Sequence, residues 1–291
     1  MKKIIVSGAG GFLGSHIIKE ALRRGDIETI AVSNSLEGVE GIRIIRTGEF
    51  LKSDQSYSDA VFINCLFPTF VREEELAAGI EMGKEIIQKA AAVSVGAFIN
   101  ISSQSVYSSV RTKSAKETDE VTLESAYAKG KYESEVLTEN LFNKGYYSNV
   151  RLASLIGVGY EQRIINRIAK KALAEGVINI RGGMRCYCFL DVRDAARALV
   201  DMAVSNPQGW KKLYNLGRND ESTLLELAEL IAKTIGETTG REPKVTLSDG
   251  EDKRNSALDT TEFMNDFGWK PLIGTEESVR DIVFDLQANG G

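Results

Sequence analysis

Histidine is almost missing from this chain, with His16 the only one in 291 residues. A metal centre built from imidazoles is therefore excluded. Cys65, Cys186 and Cys188 supply too few ligands for a closed zinc site, and the pair around Tyr187 has no histidine near it in the sequence, so no metal is expected. Three cysteines are also an odd and sparse set, unlike the paired framework of a small secreted domain. Proline occurs only four times, and no repeat or low-complexity segment stands out. No apolar run is long enough to span a bilayer. The start, MKKIIVSGAGG, breaks its apolar stretch with glycines at once and carries no small-residue cleavage site. The net charge of −5 is spread along the sequence, which offers neither a basic face for nucleic acid nor a patch for a membrane. The expectation is a soluble, cytoplasmic protein.

What is present begins at the first turn. Lys3 to Ser7 is a β-branched apolar run suited to a buried strand, and Gly8 breaks it. Gly11 and Gly14 follow at three-residue steps, and a helical apolar pattern starts at Phe12 and Leu13. A strand, a glycine turn and a helix bring backbone N–H groups and a helix N-terminus to a pyrophosphate. Gly8 permits the turn, Gly11 lets the backbone approach the phosphates, and Gly14 lets helix and strand pack closely. A dinucleotide site is the expectation.

Further strands are predicted at Glu28–Ser33, Arg43–Thr47, Asp59–Leu66, Ala97–Ile101 and Tyr147–Leu152, alternating with helical patterns that include Val71–Val93 and Ser125–Phe142. Such alternation implies an α/β fold with a doubly wound parallel sheet, whose ligands lie at the carboxyl ends of the strands. The second strand ends in Ser33, Asn34 and Ser35. An acid there would bind the ribose 2′-OH of NAD, and an arginine would pair with the 2′-phosphate of NADP. Neither is present, so the sequence reads as NAD(P) with a lean to NADP(H).

Tyr127 and Lys131 stand four residues apart within the Ser125–Phe142 helix, hence on one face. A nearby ammonium lowers the pKa of a phenol, and the lysine can also hold the nicotinamide ribose. Upstream, the Ala97–Ile101 strand opens into Ser102-Ser103-Gln104-Ser105-Val106-Tyr107, at a strand end where ligands gather.

The GxxGxxG turn, the Ser102–Tyr107 segment and the Tyr127/Lys131 helix, in this order, resemble the extended short-chain dehydrogenases/reductases, and the likeness covers nearly the whole chain. The resemblance implies a Rossmann-type domain at 1–153, with 187–206 returning to it, and a substrate-binding lobe from 154–186 and 207–291. It implies catalytic roles for Ser103 on the substrate oxygen, Tyr127 as general acid/base and Lys131 beneath it. Cofactor contacts follow at Gly8, Gly11, Phe12, Leu13, Gly14, Ser33, Asn34, Leu66, Phe67, Ser102 and Lys131. Glu49 and Phe50 match the family's step onto the adenine ring. Gln104, Tyr107, Ser154, Arg185 and Arg254 become substrate contacts, although Ser154 replaces the family's Asn and Arg185 lies two positions from the usual arginine. A homodimer through the helices carrying Ile80–Ala90 and Leu137–Leu141 is implied as well.

The activity expected is hydride transfer to or from a nucleotide-linked sugar, foremost reduction of a 4-keto group. A 4-epimerase or dehydratase with tightly held NAD is the alternative on the same residues. A non-catalytic NADP(H)-binding regulator is the alternative of another kind, disfavoured by the presence of both Tyr127 and Lys131.

Overall fold

Seven parallel strands carry the molecule, and their apolar runs explain why helices cover both faces. Ile4, Ile5 and Val6 in the first strand are wholly buried, as are Phe62 and Ile63 in the fourth and Phe98 and Ile99 in the fifth. A strand buried on both sides needs a layer on each. The computed structural model describes residues 2–68 and 72–289, apart from the side chain of Glu73.

In chain order the elements begin β1 (Lys2–Ser7), α1 (Phe12–Arg24), β2 (Ile27–Val32), β3 (Arg43–Ile45), α2 (Thr47–Lys52), β4 (Ala60–Asn64) and α3 (Glu73–Ala92). They continue with β5 (Ala97–Ser103), α4 (Ala126–Phe142), β6 (Tyr146–Leu152), β7 (Ser154–Ile156), α5 (Ile164–Glu175), β8 (Val177–Arg181), β9 (Cys186–Tyr187) and β10 (Phe189–Asp191). The last are α6 (Val192–Val204), β11 (Leu213–Leu216), β12 (Ser222–Thr223), α7 (Leu224–Thr239), β13 (Lys244–Ser248), α8 (Thr261–Phe267) and α9 (Thr275–Asn289). Val71, expected to lie at the start of α3, is outside the described residues.

The sheet order is β11-β6-β5-β4-β1-β2-β3. The chain winds one way from β1 to β3 and the other way from β4 onward, so a crevice opens between the carboxyl ends of β1 and β4. On one face Ile17, Ile18 and Ala21 of α1 join Ala195, Ala198 and Leu199 of α6. On the other, Ile86, Ile87 and Ala90 of α3 and Phe142 of α4 meet Phe62 and Phe98 of the sheet. A third core unites Ile165 and Ala169 of α5, Leu227 and Ile231 of α7, and Val279 and Ile282 of α9.

Several local expectations shift. The strand at Leu213–Leu216, assigned above to the lobe, pairs in parallel with β6 and is the edge of the main sheet. Trp210, Phe263 and Trp269 belong to the core under that edge, so 207–291 is divided between two cores. Helix α7 is capped by Thr223, whose hydroxyl accepts the Glu226 N–H at 3.2 Å while Glu226 accepts the Thr223 N–H at 2.7 Å. Among the described residues no helix is long and apolar enough to cross a membrane.

A row of polar side chains crosses the sheet at one level. Ser7, Asn64, Asn100 and Asn149 are direct register partners on β1, β4, β5 and β6. The Ser7 hydroxyl donates to Asn64 at 2.7 Å, Asn64 to Asn100 at 3.2 Å, and Asn100 to Asn149 at 3.0 Å. Ser134 of α4 accepts a further bond from Asn100 at 3.1 Å, which ties that helix to the sheet.

Candidate active site

At the end of β1 the backbone turns at Gly8, whose φ of +66° is a left-handed conformation that suits glycine. A Cβ on Gly14 would stand 2.2 Å from the Gly8 carbonyl oxygen, so α1 packs against the turn only because residue 14 has no side chain. The Gly11 N–H closes the turn on the Gly8 oxygen at 2.9 Å. Above it lies a cavity of about 490 Å³, reached by Phe12, Leu13, Ser102, Gln104 and Ser154. A second cavity of about 250 Å³ shares Gly8, Gly11, Cys65 and Phe67 with the first and extends to Ser33, Asn34 and Leu66. Two joined cavities meeting at a bare glycine backbone fit a dinucleotide, with one half on either side of the pyrophosphate.

Ser103, Tyr127 and Lys131 all reach the larger cavity. Ser103 ends β5, and its hydroxyl accepts the Ser105 N–H at 3.2 Å and the Ser105 hydroxyl at 3.0 Å. Tyr127 stands in the first turn of α4, fixed by the Ser125 cap that accepts the Ala128 N–H at 3.1 Å. Phe67 packs edge-on against its ring at 5.2 Å between centroids, and the Tyr127 phenol shares the cavity wall with Ser103. One turn on, the Lys131 ammonium donates to the Ile101 carbonyl at 2.7 Å and lies 4.0 Å from the centre of the Phe67 ring.

Burial pushes the Tyr127 phenol up, and the Arg163 guanidinium and the Ser103 hydroxyl pull it back. The Lys131 ammonium sits 5.9 Å from the centre of the Tyr127 ring, bonded to the Ile101 carbonyl beneath the Phe67 ring. Burial lowers Lys131 to about 7, against the opposing influence of Cys65 and Glu135. The cofactor-free protein should therefore gain stability as pH rises from about 7 toward 9. Over that span the unfolded chain holds a proton on residue 131 that the folded chain has released. The slope from this one group reaches up to about 1.4 kcal/mol per pH unit. Above about 9 Cys65, pushed by burial to about 12, acts in the opposite sense. Urea melts across pH 7–9 should lose this slope in Lys131→Met; an unchanged slope would place its origin elsewhere.

Beneath the site a buried ion pair supports β5. Arg151 of β6 donates to both Glu135 oxygens, at 3.0 and 2.7 Å, and the Ser102 hydroxyl donates to the same carboxylate. Glu135 lies one turn beyond Lys131 on α4.

Other expected residues stand elsewhere. Phe50 is wholly buried against Phe62 and Tyr57, because Thr47–Lys52 is a helix that turns this ring into the core and away from an adenine. Glu49 accepts the Arg46 N–H at 3.2 Å and caps that helix. Tyr107 does not wall the cavity: it donates to Asn215 at 2.9 Å under the Arg151 guanidinium. Arg254 makes a two-pronged pair with Asp252 at 2.7 and 2.6 Å, and Arg185 lies over the Tyr187 ring, so neither lines the cavity.

Sequence reasoning missed Cys65, which lies at the junction of the cavities, and Tyr160, whose ring packs at a tilt against Phe12 with centroids 4.3 Å apart. Arg163 stands at the N-cap position of α5 and lines the larger cavity. Gly10, Ser35 and Thr47 complete the smaller one.

Comparison with known proteins agrees with this architecture. UDP-glucuronic acid decarboxylase 1 of Arabidopsis thaliana is 24% identical over 98% of this chain and 70% of its own length. The dTDP-glucose 4,6-dehydratase of an Actinoplanes species is 24% identical over 99% and 98%. Among solved structures, the UDP-glucose 4-epimerase of Thermotoga maritima with UDP-glucose superposes with a TM-score of 0.78 at 21% identity, covering 99% of this chain and 100% of that one. The UDP-glucuronic acid 4-epimerase of Bacillus cereus with NAD gives 0.81 at 17% identity, covering 98% and 99%. Residues 4–217 match the model of the NAD dependent epimerase/dehydratase family, so the chain belongs to that family and is an NAD(P)-dependent enzyme of the extended short-chain dehydrogenase/reductase type.

Proposed function

We propose that the protein reduces a 4-keto group on a nucleotide-linked sugar, using NADP(H). The observation that carries this reading is the convergence of Ser103, Tyr127 and Lys131 on the wall of the cavity above the glycine turn. Held above the Gly8 turn, a nicotinamide cofactor would supply the hydride. Tyr127 gives its phenolic proton to the carbonyl oxygen, and Ser103 donates a hydrogen bond to that oxygen as charge grows on it. Lys131 fixes the floor and orients the ribose. The sugar would rest toward Gln104 and Ser154, with the lobe of α5, α7 and α9 over the nucleotide. Ser33, Asn34 and Ser35 present no carboxylate to repel a 2′-phosphate, which supports NADP(H). We place a homodimer contact on α3 and α4, where Met82, Val136 and Leu141 are exposed.

Dehydration is less well served. Removing water from a sugar needs a carboxylate or similar acid/base beside the ring, and no carboxylate lines the larger cavity among the described residues. A 4-epimerase that returns the hydride to the opposite face is the second reading, favoured by the solved neighbours described as 4-epimerases. Incubation with a 4-keto-6-deoxy nucleotide sugar and NADPH should oxidise one cofactor per sugar reduced. Interconversion of 4-hydroxy sugars without net cofactor oxidation would replace the reductase by the epimerase.

A further inference from the structure

The end of β2 lacks a basic residue in sequence, but the fold brings one from the neighbouring strand. Ile45 of β3 lies opposite Val32 of β2, and the Ser33 N–H continues the pairing by donating to the Ile45 carbonyl at 3.1 Å. Arg46 therefore leaves the sheet beside Ser33, Asn34 and Ser35. The Thr47 N–H donates to the Asn34 side-chain oxygen at 3.0 Å, and the Arg46 guanidinium donates to the Asn34 carbonyl, so the two chain segments are tied together. The other end of the guanidinium donates to Glu37 at 2.6 Å, in a pair whose side chains are 43% and 75% exposed.

Toward the cavity the lining is hydroxylic. The Ser33 hydroxyl oxygen accepts the Ser35 and Leu36 N–H groups, each at 3.2 Å, and stands 3.4 Å from that of Ser35. Ser35 lies against the glycine turn so closely that a Cβ on Gly10 would be 2.1 Å from its oxygen. The smaller cavity is thus lined by Ser33, Asn34, Ser35 and Thr47, and the Arg46 guanidinium is bonded to the carbonyl of the lining Asn34.

We infer that Arg46 selects the 2′-phosphorylated adenosine, taking the phosphate between its guanidinium and the Ser35 hydroxyl while the Glu37 carboxylate gives way. The inference rests on the NADP(H) reading above and names the residue that enforces it. An exposed Arg–Glu pair is weak and screened. A phosphate monoester brings nearly two charges and three acceptor oxygens to the same planar fork, so the exchange favours the phosphate. Glu37 is then a placeholder that keeps Arg46 extended beside the cleft and penalises the phosphate by its own charge.

The test is titration of the whole protein with NADPH and with NADH. Unaltered protein should bind NADPH more tightly. Arg46→Ala should weaken NADPH by about 10- to 100-fold, the loss of one charge-assisted contact, and leave NADH within about twofold, which also reports that the variant is folded. Glu37→Gln should tighten NADPH several-fold and leave NADH unchanged. If unaltered protein prefers NADPH and Arg46→Ala keeps the same preference, this assignment is overturned and the NADP(H) reading stands. If unaltered protein prefers NADH and Glu37→Gln weakens it, both are overturned, with Glu37 accepting from the ribose 2′-OH.

Discussion

Tyr127→Phe is expected to lower turnover by about 10²- to 10⁴-fold, the usual worth of a positioned general acid, while cofactor affinity changes by less than about twofold. The substitution removes one oxygen and keeps the ring that packs against Phe67, so the wall of the cavity keeps its shape. What disappears is the proton donor. Steady-state rates beside a cofactor titration separate the two effects. A parallel loss of affinity and rate would mean that residue 127 shapes the cofactor site; a retained rate would remove it from the chemistry.

The largest effect on stability is expected at Glu135. Its side chain and that of Arg151 are 6% and 5% exposed, and each is the other's charge partner. Glu135→Ala leaves a guanidinium enclosed with no counter-charge and the Ser102 hydroxyl without its acceptor, which costs about 3–5 kcal/mol. Melting should fall by roughly 10 °C. Replacing both partners with apolar groups of similar volume, Glu135→Leu with Arg151→Met, should recover much of that loss, because the penalty lies in the stranded charge. A double variant as unstable as the single one would show that the pair itself, rather than its half-removal, holds β5 and β6 to α4.

The parts of this protein that were legible in its sequence are those set by neighbouring residues. The β1 run, the turn at Gly8 and the helix from Phe12 follow from local pattern, and the four-residue spacing of Tyr127 and Lys131 needs only a helix. The expectations that shifted depended on distant partners. Phe50 turns into the core because Tyr57 and Phe62 are there, and Tyr107 turns toward Asn215, over a hundred positions away. Leu213–Leu216 is a sheet edge because β6 has a free side for it. Arg46 belongs with these: it follows the third strand in sequence, and only the register of β3 on β2 brings it beside Ser33–Ser35.

The amide row through Asn64, Asn100 and Asn149 also bears on how the chain assembles. Parallel strands of near-uniform aliphatic composition offer little to distinguish a correct alignment from one displaced by a single residue. A displacement of one would swing each carboxamide to the opposite side of its strand, among hydrocarbon, and each donor or acceptor left bare there costs about 1–3 kcal/mol. Misaligned intermediates are thereby made short-lived, and the strand ends that must present the cleft arrive level with one another before any nucleotide is there to align them.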